Sequence, residues 1–95
     1  MAVKIIIKRK VAKEKEKDLL PLLIRLRALA TEQPGYISGE TLRNIERPEE
    51  YLVISTWQSV DNWKAWASNK QRSEIQEKID ALLDTETEYN LYLYE

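Results

Sequence analysis

The 95-residue chain has no histidine, no cysteine and no phenylalanine, and only two glycines and three prolines. Without cysteine there is no disulfide framework, no thiol nucleophile and no thiolate metal site. Without histidine, the zinc motifs built on His, Ser-His-Asp catalysis and histidine-ligated haem are excluded. An excess of one charge is missing too: 15 Lys+Arg stand against 16 Asp+Glu, for a net charge of -1. No general attraction for nucleic acid or anionic membrane is therefore expected. Long apolar runs are also absent. The opening "MAVKIIIKRK" sets three isoleucines between lysines, too short and too charged for a signal peptide or a membrane span. A cytoplasmic location is the resulting expectation.

Repeats, linkers and low-complexity tracts are lacking, so residues 1–95 read as one domain. A hydrophobic fraction of 43% is enough for a core. A chain of this length still buries only about two-thirds of its unfolded surface, which makes it a candidate for self-association.

Residues 3–11, "VKIIIKRKV", combine β-branched residues with alternating lysines and predict a strand. From Leu19 to Ala30 the leucines and Ile24 recur at three- and four-residue steps, with Arg25 and Arg27 opposite, predicting an amphipathic helix. If Asp18 is its N-cap, Pro21 falls in the first turn. If the helix starts near Glu14, a kink is expected at Pro21. Pro34-Gly35 ends that helix, and "YISGETLRN" and "YLVISTW" predict two further strands around a polar turn, "IERPEE". Ser59 is placed to cap a short helix, "VDNWKAWA". Ser68 and Gln71 have capping-box spacing for another, "KQRSEIQEKIDALL", with Ile75, Ile79, Leu82 and Leu83 on one face. "ETEYNLYLYE" closes the chain as a strand. The order β-α-β-β-α-α-β implies a ferredoxin-like α+β sandwich with a four-stranded, mostly antiparallel sheet.

Strand parity divides the sheet into two faces. Ile5, Ile7, Leu52, Ile54, Leu91 and Leu93 form an aliphatic set suited to packing under helices. Ile6, Tyr51, Val53, Trp57, Tyr92 and Tyr94, mixed with Lys4, Lys8, Ser55 and Asn90, form a second set. That second face is less polar than plain solvation requires. Two copies stacked face to face, as a two-fold homodimer, are the expectation.

All three tryptophans, Trp57, Trp63 and Trp66, lie in "TWQSVDNWKAW". Trp63 and Trp66, three apart on the short helix, project in neighbouring but distinct directions, so one can fill the core while the other faces elsewhere. Asn62, four residues before Trp66, brings an amide to the same helical face. An apolar wall with a few convergent polar groups is what a small-molecule pocket needs, though composition alone favours core packing.

The stretch from "EQPGYISGETLRN" through "YLVISTWQSVDNWKAWASNKQRSEIQEKI" resembles the antibiotic biosynthesis monooxygenase superfamily. The shared pattern is a Pro-Gly after the first helix and an apolar strand ending near a Trp. A short helix bearing His or Trp and a polar break follow. The resemblance implies a dimeric α+β barrel with a pocket between sheet and helices in each protomer. It also implies, in members that oxidise phenols or quinols, oxygen chemistry without metal or flavin, the electron-rich substrate itself reducing dioxygen. Shape, exclusion of water and hydrogen bonds to the anion are then the protein's contribution. On that resemblance Trp66 and Asn62 are the candidate catalytic residues, and Trp63 and Arg72 the candidate substrate-binding residues. Arg72 would pair with an anionic substrate, although by itself it reads as a solvated charge. Haem-degrading relatives place a His about ten residues beyond the helix Trp and an Asn on the first strand. Here those positions hold Gln76 and either Ile7 or Lys8, which disfavours haem degradation.

No strong base stands out, Lys8, Glu40 and Tyr51 being the available groups. The expected function is a cofactor-independent monooxygenase acting on a small electron-rich aromatic. A non-catalytic dimeric module binding a small ligand or regulatory partner is the alternative.

Overall fold

A computed structural model describes all residues, Met1–Glu95. Along the chain they form β1 (Val3–Lys10), a 3-10 turn (Lys13–Lys15), α1 (Glu16–Thr31), β2 (Tyr36–Arg43), β3 (Glu50–Trp57), α2 (Val60–Ala67), α3 (Lys70–Leu82) and β4 (Glu88–Leu93). The strands pair antiparallel throughout in the order β2-β3-β1-β4. The three helices lie over one side of the sheet, an α+β ferredoxin-like fold as the element order implied. None of the helices is long and apolar enough to cross a membrane.

The starts of α2 and α3 follow from local chemistry. The Ser59 hydroxyl accepts the Asn62 backbone N–H and starts α2, as its position predicts. At α3 the cap is Asn69 rather than Ser68: its Oδ1 accepts the backbone N–H groups of Gln71 and Arg72. Ser68 instead donates its hydroxyl back to the Lys64 carbonyl, closing α2. Asp18 is not a cap either, because α1 begins ahead of it and carries Pro21 inside the helix. The Lys17 carbonyl consequently loses its usual partner four residues on. Leu19 and Leu26 are the buried residues of α1, with Leu22, Leu23, Leu29 and Ala30 packed around them. Ile24, counted in the apolar stripe from its spacing, is 68% exposed. It lies roughly 200° around the helix from Leu26, since each residue advances about 100°.

The larger correction concerns β3. Its register sets Trp57 opposite Val3, Ser55 opposite Ile5, Val53 opposite Ile7 and Tyr51 opposite Arg9. Residues directly opposite share a face. Tyr51, Val53, Ser55 and Trp57 therefore lie beneath the helices, while Leu52 and Ile54 join Ile6 on the open side. "YLVISTW" is apolar at both parities, so its own pattern cannot say which side is in. Pairing with β1 decides it. On β4, Leu91 and Leu93 share the helix side with Ile5 and Val3, yet Leu93 is 60% exposed at this edge strand.

The core is built from Val3, Ile5, Ile7 and Val11 of the first strand and its exit, Leu19 and Leu26 of α1, and Ile75 and Ile79 of α3. Trp57, Trp63, Trp66 and Tyr51 complete it on the β3 and α2 side. Truncating a fully buried isoleucine such as Ile79 to Ala removes about 2–5 kcal/mol by the usual cost of large-to-small core changes.

Candidate functional site

The helix side of the sheet is aromatic and polar where a simple core would be aliphatic, and that is where the chain leaves room. A cavity of about 70 Å³ opens between the sheet and α1, α2 and α3. By the measure in which one water needs about 10–15 Å³, it accommodates on the order of five waters, the space of a single substituted ring. A wider depression of about 470 Å³ lies at the α3–β4 corner, but it is polar, with Asp80, Asp84 and Glu86 in its wall. The smaller, apolar cavity has the character of a ligand site.

Its indole wall is a stacked series. Tyr36 meets Trp57 edge-on with centroids 5.4 Å apart, and Trp57 meets Trp63 at 5.8 Å. Trp63 in turn lies 6.2 Å from Tyr89. Such edge-to-face packing holds the rings in fixed orientations. Trp57 comes from the end of β3, and its Nε1 donates to Ser55 Oγ at 3.1 Å, which explains a buried serine on this strand. Trp63 and Trp66 come from α2. Both are buried and both line the cavity, so packing and pocket are one feature here.

Two glycines shape the approach. Gly35 has φ +85°, a left-handed conformation that follows α1 and turns the chain into β2. A Cβ there would lie 2.3 Å from Asn62 Cγ. Gly39 lies against the Tyr36 ring: a Cβ would sit 2.6 Å from the Tyr36 hydroxyl. Without that side chain Tyr36 folds flat over the strand and becomes part of the cavity wall.

The polar lining is cationic. Arg9, Arg27 and Arg72 all reach the cavity. Arg27 Nη2 donates to the Gly39 carbonyl at 3.2 Å. Arg9 and Arg72 are buried, with only 3% and 6% of their surface exposed. Arg9 Nη2 donates to Gln76 Oε1 at 3.1 Å, and Arg72 Nη2 donates to the Tyr89 hydroxyl at 2.9 Å. The Arg72 guanidinium also lies 5.5 Å from the Trp63 ring and 5.4 Å from the Tyr89 ring. Neither has a carboxylate partner; the two ion pairs of the chain are Arg43–Glu16 and Arg47–Glu50. Burial pushes the Arg9 guanidinium below its ordinary value; Tyr89 opposes this, the charge of Arg72 adds to it and Asp80 opposes it.

Of the four residues singled out from sequence, Trp63, Trp66 and Arg72 are brought together around the cavity. Arg72 is buried rather than solvated. Asn62 is placed elsewhere: its Oδ1 accepts from Ser59 Oγ at 2.7 Å, and its side chain packs on Gly35, outside the lining. Among the possible bases, Lys8 pairs with Leu52 on the open face, and the Tyr51 hydroxyl donates to Glu16 Oε1 at 2.8 Å while Arg43 contacts it. Glu40 borders the cavity beside Gly39, with Ile54 of the open face as its register partner. Sequence reasoning missed Arg9, Ser55, Tyr36 and Tyr89. Arg9 carried a signal, because it continues the inward parity of Val3, Ile5 and Ile7 with a charge.

Comparison with known proteins agrees with this geometry. A conserved protein from Methanosarcina mazei Go1 superposes with a TM-score of 0.94 at 23% identity, over 100% of this chain and 94% of that one. SnoaB, a cofactor-independent oxygenase from Streptomyces nogalater, superposes in mutant form with a TM-score of 0.87 at 18% identity, over 98% and 92% of the two chains. At these identities the likeness establishes the fold. Protein SchA of Streptomyces halstedii is 33% identical over 42 residues, 44% of this chain, and the chain matches only 11% of the length of SchA. The family model for antibiotic biosynthesis monooxygenases matches residues 2–78, from β1 through most of α3 and so across every residue that lines the cavity. The chain belongs to the antibiotic biosynthesis monooxygenase family.

Proposed function

We propose that the protein is a cofactor-independent monooxygenase that oxidises a small, electron-rich aromatic of the phenol or quinol type in the cavity beneath α1 and α2. The observation that carries this reading is a ring-sized cavity walled by Trp57, Trp63 and Trp66 and edged by hydrogen-bond donors. Family membership supports the reaction class. In such a reaction a phenol and dioxygen give a quinone and water. One oxygen atom enters the ring and the other leaves as water, and all four electrons come from the substrate. The chain's part is to exclude water, hold the ring against the indoles and favour the phenolate over the neutral phenol by positive charge, the anion being the form that gives up an electron more readily. Trp66 and Trp63 are assigned to the ring. Arg72 is assigned to the anion, and Asn62 to supporting α2 and the Gly35 turn.

A homodimer belongs to the same proposal. The open face carries Ile6, Leu52, Ile54, Leu42 and Tyr92 within a border of lysines and glutamates, and stacking two copies there buries these side chains. The non-catalytic ligand module is favoured by one observation: Tyr51 and Lys8, two of the possible bases, are directed away from the cavity or already engaged.

Oxygen consumption with single-ring phenols and hydroquinones tests the activity. Wild-type protein is expected to exceed the protein-free rate, and Trp66→Phe, which keeps a ring in the core, to lose roughly tenfold in kcat/KM by the usual worth of pocket contacts. Saturable quenching of tryptophan fluorescence without oxygen uptake across the panel would instead establish the binding module.

A further inference from the structure

Arginine is almost never buried without a partner, because the guanidinium stays charged and its desolvation is costly. This chain buries two beside one cavity. Arg9 from β1 and Arg72 from α3 approach it from the sheet and from the helix layer, and neither meets a carboxylate. The Nε atoms of both are buried and have no hydrogen-bond partner. Their remaining contacts are neutral: Gln76 for Arg9, the Tyr89 hydroxyl for Arg72. Burial, the largest effect, lowers the titration of Arg9, and Arg72 is close enough to add to it, against Tyr89 and Asp80. Like charges held together in a low-dielectric site are unfavourable unless something negative joins them. The Ser55 hydroxyl accepts from Trp57 on the same wall and still has a proton to donate.

We infer that Arg9 and Arg72 form an anion-binding site at the polar end of the cavity, and that the ligand is a compact aromatic carboxylate whose ring lies on Trp63 and Trp66. Guanidinium groups match a carboxylate's two oxygens, and charge-assisted hydrogen bonds in a dry site are the strong ones. Charge in the lining favours an anion over a cation: Arg27 adds a third guanidinium at the exposed rim, Glu40 is paired with Ile54 of the open face, and Asp80, which opposes the Arg9 shift, lies outside the lining and accepts from Gln76. The inference deepens the proposed function by naming the substrate class, a ring with a permanent anionic group, but it rests on binding alone. It survives a failure of the oxygenase reading.

The test uses benzoate and its neutral isostere benzamide, neither of which can undergo the phenol oxidation. Wild-type protein is titrated with each in low-chloride buffer, following tryptophan fluorescence and Tm. Benzoate is expected to bind saturably and to raise Tm, with benzamide weaker by roughly tenfold or more, the discrimination that a charged hydrogen bond supplies. Equal affinity for the two, or no saturable response to benzoate, would overturn the inference without any variant being made. Arg9→Met and Arg72→Met then locate the site. Each is expected to fold, with a Tm at or above that of the ligand-free wild type because an uncompensated buried charge has been removed. Each is also expected to lose benzoate selectivity over benzamide. A folded variant that binds benzoate as the wild type does would equally overturn the assignment.

Discussion

At the scale of single residues, the site depends on two places where backbone and side chain meet too closely for any larger group. Gly35 holds a positive φ, and its missing Cβ is where Asn62 packs. Gly35→Ala therefore combines a left-handed alanine, costing about 1–3 kcal/mol, with a collision against the first turn of α2. In a domain of this size that is a fall in Tm on the order of 10 °C, readable by circular dichroism. Helix capping gives a second, more discriminating comparison. Asn69→Ala removes the acceptor for two backbone N–H groups and is expected to cost about 1 kcal/mol, or roughly 4–8 °C. Ser68→Ala, one residue earlier, loses only an exposed bond to a carbonyl and is expected to stay within about 0.5 kcal/mol of wild type. Reversed values would restore the capping box that the sequence spacing suggests.

Elements were more legible than faces. Apolar spacing, the Pro34-Gly35 punctuation and the Ser59 cap placed the three helices; β-branched runs placed β1 and β3, alternation placed β4, and the stretch between Pro34-Gly35 and the polar turn placed β2. Those signals are local, so one chain suffices to read them. Which side of β3 points inward is a pairing question, and a strand apolar at every position carries no label for it. The assumption that the smoother aliphatic set lies inside held for Ile5, Ile7, Leu91 and Leu93 and failed on β3. There the cavity is walled by Trp57, Ser55 and Val53 facing the helices, while Leu52 and Ile54 are left for the open side. Arg72 looked like a surface charge because it follows a polar break; α3 turns it inward over Trp63. Substituting lysine on adjacent β3 residues separates the two faces. Val53→Lys puts a charge into the cavity floor, with an expected cost of several kcal/mol in urea melts. Ile54→Lys is expected to leave the subunit folded.

For the whole molecule, the sheet has two sides with different tasks. One is covered by helices except where an indole-walled, arginine-edged cavity remains, and the other carries Ile6, Leu52 and Ile54, the face proposed to stack on a second copy. Sedimentation velocity at micromolar concentration should give a dimer for wild type and a monomer for Ile54→Lys, with the cavity intact in both. A monomeric wild type would contradict the stacking of open faces. The cavity side has a cost of its own, because two buried guanidiniums without an ion-pair partner weaken the ligand-free fold, a cost that the inferred anion would offset.

Oxygen chemistry driven by the substrate inside this cavity would leave its mark on isotopically labelled dioxygen. Metal-stripped, flavin-free protein is incubated with hydroxybenzoates and related single-ring phenols under 18O2, and the products are weighed by mass spectrometry. One labelled oxygen atom per oxidised ring is expected, formed faster than without protein and more slowly with Trp66→Phe. Unlabelled substrate recovered intact across the panel, at the protein-free rate of oxygen loss, would contradict it.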